Sequence, residues 1–243
     1  MKTIAVIPAR FAATRFPGKL MQTIGDKTII SMVHANAVAT GLFDEVLVVT
    51  DSDIIADEVR AQGGLVCMSK KEHVSGSDRI AEAIEDRDVD VIVNIQGDEP
   101  FVSKEPLADL IACFDDDEVQ VASLMKKFGT GDDPGNPNQV KVVCNKKGDA
   151  LYFSRSLIPF KRNLLTESLV FRHIGVYAYR KSALLAFTSW PSGTLEQSEM
   201  LEQLRYLENG VNIRMVETTS SSIGIDTPED LEVAREYHRS ISA

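Results

Sequence analysis

The chain has 243 residues, 44% apolar and 26% charged, with a formal net charge of -10. That size and balance fit one large α/β domain or a core with a smaller insertion, and the acidity argues against generic binding to nucleic acid or a membrane surface. Three cysteines, Cys67, Cys113 and Cys144, an odd number without C-x-x-C spacing, favour neither a disulfide framework nor a zinc site; with no signal-peptide pattern after Met1 and no run of 18 apolar residues, a cytoplasmic protein is expected.

Ile4 to Ile7 reads as a buried strand. It runs into Pro8-Ala9-Arg10 and then Arg15-Phe16-Pro17-Gly18-Lys19, which places three permanent cations within ten residues. A core has no use for Arg10, Arg15 and Lys19 so close together, whereas a nucleotide triphosphate needs a cation or a donated hydrogen bond for each phosphate that leaves water. A solvated basic turn is the bland alternative. Thr28 to Thr40 follows with helical spacing, then a strand at Val46 to Val49, a helix at Asp51 to Ala61 and a strand at Leu65 to Met68. That alternation predicts parallel strands joined by right-handed helical crossovers. Val89 to Ile95 is almost continuously apolar, as a strand covered on both faces should be, and it ends at Gln96-Gly97-Asp98-Glu99-Pro100. Ligands in open α/β sheets sit at the carboxyl ends of strands, so this loop and the one after Ile7 can face one crevice.

From about residue 120 the segments turn β-rich: Val119 to Met125, Val140 to Asn145, Ala150 to Ser154 and Val170 to Arg180, with a clear loop at 129–138. A long helix is predicted from Thr194, where Thr194 and Gln197 make a capping box, to Asn209-Gly210. On such a helix Glu199, Glu202 and Tyr206 would share a face. The final helix opens at Thr227-Pro228-Glu229-Asp230, with a threonine cap, proline at the first helical position and acids in the first turn, which sets Asp226 just ahead of a helix start.

Asp98 and Asp226 each have two readings, the capping of a local turn and the binding of Mg²⁺, which takes one or two carboxylates together with substrate phosphates. With the triple-cation loop they form a metal-nucleotide constellation. The chain lacks both the G-x-x-x-x-G-K-[ST] cradle and G-x-G-x-x-G, so P-loop and dinucleotide enzymes drop out.

Further blocks extend this pattern: His73-Val74-Ser75-Gly76-Ser77-Asp78-Arg79, Val93 to Pro100, Leu151-Tyr152-Phe153-Ser154-Arg155, Arg172-His173-Ile174-Gly175-Val176-Tyr177, Glu199 to Arg205 and Gly224 to Asp230. With the opening block they run nearly end to end, and together they resemble the 3-deoxy-manno-octulosonate cytidylyltransferases, the CMP-Kdo synthetases. The opening block alone is shared with CMP-sialic acid synthetases, which usually carry a glycine-rich stretch where this chain has Phe11-Ala12-Ala13-Thr14.

The resemblance implies an α/β, Rossmann-like nucleotide-diphospho-sugar transferase fold, a mostly parallel central sheet with a β-rich second half. It implies a single domain over 1–243, with about 1–118 binding CTP and about 119–243 binding sugar and forming a homodimer. The implied reaction is Mg²⁺-dependent transfer of CMP from CTP to the anomeric hydroxyl of 3-deoxy-D-manno-octulosonate (Kdo), releasing pyrophosphate, for lipopolysaccharide biosynthesis. Catalysis falls to Lys19, Arg15, Asp98 and Asp226, the last two carrying the metal. Pro8, Ala9, Arg10, Arg15, Lys19, Ser75, Gly76, Arg79 and Gln96 are implied around the nucleotide. Gln96, Arg155, His173, Tyr177, Glu202 and Gln203 are implied around the sugar. On the residues alone, Tyr177 reads equally as a packed strand residue, His173 as a satisfied histidine, and Glu202 and Gln203 as a solvated helix face. Phe160 stands where relatives often have Trp, and Glu196-Gln197-Ser198 departs from their usual His and Ile, so an 8-amino-Kdo acceptor stays open beside Kdo and a sialic acid. A nucleotide-sugar binding protein without turnover is the alternative of another class.

Overall fold

A computed structural model describes residues 1–12, 16–73, 75–163, 169–220 and 223–242. The chain forms two compact units, Met1–Lys104 with Ser221–Ala243, and Glu105–Ser220.

The first unit opens with β1 (Thr3–Ala9), whose residues Ala5, Val6 and Ile7 are fully buried. A small hairpin of β2 (Thr23–Ile24) and β3 (Lys27–Thr28) leads into α1 (Ile29–Ala39). This is the predicted Thr28 to Thr40 helix with both threonines as caps, the Thr28 hydroxyl accepting from the Ser31 amide at 3.3 Å. Next come β4 (Glu45–Thr50), α2 (Asp53–Ala61), β5 (Leu65–Met68), α3 (Gly76–Ile84) and β6 (Val91–Asn94). The strands lie in the order β6-β1-β4-β5, all parallel, with Val6 opposite Asn94, Ala9 opposite Thr50 and Thr50 opposite Met68. Their carboxyl ends point the same way, and the loops that leave them emerge along one edge. The apolar sides of α1, α2 and α3, carried by Ile29, Ile30, Val33, Ile55, Ile80 and Ile84, are buried with the strands. Each such side chain contributes roughly 1.5–3 kcal/mol of transfer free energy. The helix expected from Asp51 begins two residues later because Ser52 takes the cap position, leaving Asp51 in the loop.

The second unit starts along α4 (Lys104–Ala112), followed by β7 (Val121–Lys127), β8 (Lys141–Cys144), β9 (Ala150–Ser154) and β10 (Phe171–Arg180). After α5 (Lys181–Ser189) come two short helices, α6 (Thr194–Glu199) and α7 (Leu204–Glu208), and then β11 (Ile213–Glu217). β10 runs antiparallel to β7 and β8, β8 antiparallel to β9, and β11 parallel to β7. The predicted β-rich texture is thus present as mixed pairing. β10 carries a bulge between Ile174 and Tyr177, where the register against β7 slips.

The single helix expected over 194–209 is broken. Met200 takes a left-handed conformation with φ of 53°, and the carbonyls of Glu199 and Met200 receive hydrogen bonds from the Arg155 guanidinium at 2.7 and 3.2 Å. A side chain 44 and 45 positions away in the chain has replaced the amides that would have continued the helix. Glu199 and Glu202 accordingly do not share a helical face. The cap also differs: the Gly193 amide donates to Glu196 Oε2 at 3.3 Å, while Gln197 turns its amide group to the Ser192 carbonyl.

The last helix, α8 (Pro228–Ser242), belongs to the first unit and starts as expected. The Thr227 hydroxyl accepts from the Asp230 amide at 3.2 Å, and the Asp230 carboxylate accepts from the amides of Thr227 and Asp226 at 2.8 and 3.0 Å. No helix among the described residues is long and apolar enough to cross a membrane.

Candidate active site

In the first unit, the loop after β1 is closed by a hydrogen bond from the Gly18 amide to the Phe11 carbonyl at 3.1 Å. Gly18 adopts φ of +67°, which glycine takes without penalty, and packs beneath the Phe11 ring. Lys19 then enters a turn of 3₁₀ helix, and its ammonium, only 12% exposed, donates to Asp98 Oδ2 at 2.5 Å, the Ile225 carbonyl at 2.9 Å and Asp226 Oδ1 at 3.1 Å. Burial alone would lower the Lys19 pKa, but the Asp98 and Asp226 carboxylates outweigh it and hold the ammonium above its ordinary value.

Three separate constraints bring these groups together. β6 delivers Asp98 to the edge, and Gly97 lets that loop pass close to β1, because a Cβ on it would stand 3.0 Å from the Pro8 carbonyl oxygen. The cap of α8 fixes Asp226. A hydrogen bond from the Ile225 amide to the Asp98 carbonyl, 3.0 Å, ties the two loops.

Around this cluster, Pro8 and Ala9 end β1 and Arg10 is exposed just beyond it. Gln96 is half-buried beside Gly97. Arg15 lies outside the described residues. Ser75 caps α3, its hydroxyl accepting from the Asp78 amide at 3.2 Å, and Gly76 begins that helix against the Pro8 ring. Arg79 is buried, donating to Asp51 Oδ2 at 2.6 Å and Ser69 Oγ at 3.0 Å, so its guanidinium bridges the loops after β4 and β5.

The implied sugar residues all lie in the second unit, Gln96 excepted. Arg155 spends part of its guanidinium on the carbonyls of Glu199, Pro137 and Met200, and its amide donates to Glu199 Oε2 at 2.9 Å. The His173 ring stands between Phe153 and Tyr177, at centroid distances of 5.1 and 5.3 Å, and its Nε2 is 2.9 Å from Ser123 Oγ. The Ser123 hydroxyl has carbonyl acceptors inside the β10 bulge, Val176 at 2.9 Å and Ile174 at 3.2 Å, so the ring nitrogen is the donor and His173 is a neutral Nε2–H imidazole. Burial pushes its pKa down to about 3 and pushes the Tyr177 phenol up, the latter helped by the neighbouring Tyr179 and Glu202. Gln203 is buried at the start of α7, with Glu202 beside it partly exposed.

Four residues that the sequence left unassigned have defined positions here: Asp51 on Arg79, Ser123 on His173, Glu199 on Arg155, and Lys141. Glu199 accepts from the Ser154 hydroxyl at 2.6 Å as well as from the Arg155 amide. Burial would raise its pKa, but those two hydrogen bonds and the Arg155 charge bring it below the ordinary carboxylate value. A signal for Lys141 was present, a lone cation inside the apolar run Val140-Lys141-Val142-Val143.

No cluster of three or more metal-binding side chains occurs among the described residues. What converges is two carboxylates and one ammonium at the carboxyl edge of a parallel sheet. That arrangement suits charge neutralisation on a phosphate chain and provides no side-chain nucleophile, and with the fold it defines a nucleotidyltransferase.

Comparison with known proteins gives the particular kind. The family model described as cytidylyltransferase matches residues 4–213. The 3-deoxy-manno-octulosonate cytidylyltransferase of Flavobacterium johnsoniae is 56% identical over 99% of this chain and 100% of its own length, and that of Bacteroides thetaiotaomicron is 46% identical over 98% of each. A solved structure of CMP:2-keto-3-deoxy-manno-octonic acid synthetase complexed with CTP is 37% identical, with a TM-score of 0.94 over 99% of both chains. At 17% identity and a TM-score of 0.65, 4-diphosphocytidyl-2C-methyl-D-erythritol synthase from Anaerococcus prevotii shares the fold. The chain belongs to the 3-deoxy-manno-octulosonate cytidylyltransferase family.

Proposed function

We propose that the protein transfers CMP from CTP to the anomeric hydroxyl of Kdo, giving CMP-Kdo and pyrophosphate, as a Mg²⁺-dependent cytoplasmic homodimer serving lipopolysaccharide biosynthesis. The observation that carries the reading is Lys19 held between Asp98 and Asp226. The Kdo hydroxyl oxygen forms the new bond to the α-phosphorus while the bond from that phosphorus to the bridging oxygen breaks; pyrophosphate leaves with the bonding pair and the hydroxyl proton passes to solvent. Charge grows on the phosphate oxygens, so pre-placed cations accelerate the step most. Lys19 supplies one, oriented by its two carboxylates. Arg10 and Arg15 add charge along the triphosphate.

An ammonium shared by Asp98 and Asp226 marks a point where two hard oxygen donors converge, which matches the Mg²⁺ preference for one or two carboxylates plus phosphate oxygens. These two residues would hold the ion, which supplies Lewis-acid charge and lowers the pKa of a bound hydroxyl. The acceptor is a carboxylate-bearing polyol, for which Arg155 offers a cation and His173, Tyr177, Glu202 and Gln203 offer mixed donors and acceptors.

The test is pyrophosphate release with CTP and Kdo for wild type, Asp98→Asn and Asp226→Asn. Losses of about 100-fold or more are expected for the variants, the usual scale for removing an electrostatic contribution to the transition state. Wild-type rates in both would overturn the assignment. Competing Kdo against 8-amino-Kdo and a sialic acid, scored by kcat/KM, identifies the acceptor.

A further inference from the structure

Lys141 is fully buried in β8, a strand paired by β9 on one side and β10 on the other. An interior strand position ordinarily takes an apolar side chain, and an ammonium there is costly to desolvate unless it has a task. Its Nζ donates to the Asn136 carbonyl at 3.0 Å and, by a short hydrogen bond, to the carbonyl of Arg155. The Arg155 guanidinium in turn donates to the carbonyl of Pro137, the residue next to Asn136. The two cations therefore hold adjacent carbonyls of one loop, and Lys141 also holds the backbone of Arg155, which closes a ring of contacts.

The charges in this ring do not balance. Glu199 is the carboxylate shared by the Arg155 amide and the Ser154 hydroxyl, while Asp133, the other acid acting on Lys141, is exposed to water. Among the described residues, the Lys141 ammonium donates to carbonyls rather than to a carboxylate. Three carbonyls take up only part of the Arg155 fork, so N–H groups remain for an anion.

We propose that Lys141 is a positioning and specificity-determining residue for the acceptor: it locks the Arg155 backbone and the 136–137 loop, and with Arg155 it forms a two-cation, one-carboxylate cluster that selects sugars bearing a carboxylate. This rests on the reading of Arg155 as the group that meets the acceptor's acid.

Lys141→Met keeps the side-chain length and removes the charge, and Lys141→Gln keeps a donor for the carbonyls without the charge. In both, KM for Kdo should rise about tenfold or more while KM for CTP stays within about twofold, the scale of one lost charge-assisted contact. The preference for Kdo over its carboxamide, as kcat/KM, should shrink by a similar factor. Folded variants with wild-type KM for Kdo and unchanged acid preference, or with equal rises in both KM values, overturn the proposal. Arg155→Gln measured alongside separates the two levels. If it too leaves KM for Kdo unchanged, the acceptor-site reading fails; if it raises KM and the Lys141 variants do not, the Lys141 inference alone fails. Should neither Lys141 variant fold, the ¹⁵N signal of the Lys141 ammonium in the wild type decides, with a shift on adding Kdo but not CTP expected and no shift overturning the proposal.

Discussion

Acidification should destabilise the protein mainly through His173, and the size of the effect follows from where that imidazole sits. Its ring packs between Phe153 and Tyr177 and donates to Ser123, and burial depresses its pKa from 6.5 to about 3. The depressed value means that the unfolded chain takes up the proton first as pH falls. Stability from this group is complete above about pH 6.5 and is lost as pH drops toward 3, at up to about 1.4 kcal/mol per pH unit. Between pH 8 and pH 5 the loss amounts to at most about 2 kcal/mol, a large part of a typical net stability. His34, also depressed by burial, adds in the same direction. The depressed carboxylates Glu82, Asp149, Glu196, Glu199 and Asp230 act mainly below their unfolded values of 3.8 to 4.5, outside this window. His173→Gln keeps a nitrogen donor for Ser123 but cannot titrate, so the difference between wild type and variant isolates the term. The assay is urea denaturation followed by circular dichroism at pH 8 and pH 5, at constant ionic strength. Equal pH losses in the two proteins, within about 0.5 kcal/mol, would refute a neutral imidazole at this position.

Three other outcomes are expected. Glu196→Gln strips the carboxylate from Arg205, whose Nε and Nη2 donate to it at 2.7 and 2.5 Å in a largely buried pair, and should reduce unfolding free energy by about 3 kcal/mol in urea titrations. Gly97→Ala places a methyl 3.0 Å from the Pro8 carbonyl oxygen, which forces the Asp98 loop to shift; pyrophosphate release should fall about tenfold with the fold retained by circular dichroism. Removing divalent ions with a chelator should suppress pyrophosphate release, and added Mg²⁺ should restore it; turnover unaffected by chelation would remove the metal from the mechanism.

The caps at Thr28 and at Thr227-Pro228 were legible because capping is settled within four residues, where side-chain oxygen and amide are neighbours in the chain. The strands of the first unit were legible for a similar reason, since short apolar runs alternating with helical patterns and ending at turn residues suit strands covered on both faces. The break at Met200 was not legible. Local propensity favours one helix across 194–209, whereas the left-handed cap at Met200 comes with carbonyl contacts from Arg155, a residue far away in the chain.

The same division holds for the site. The chain by itself determined which groups are present: three cations after the first strand, two aspartates at element ends and a set of polar residues in the β-rich segments. Only the tertiary structure decided that Lys19 meets Asp98 and Asp226 across 79 and 207 positions, that Arg79 is engaged by Asp51, and that the Lys141 ammonium lies under the Arg155 carbonyl. Periodicity and caps report interactions a few residues long, whereas those meetings join distant parts of the chain: in the first unit through strand order, the close pass of Gly97 against Pro8 and one hydrogen bond from Ile225 to Asp98, and in the second through the pairing of β8 with β9.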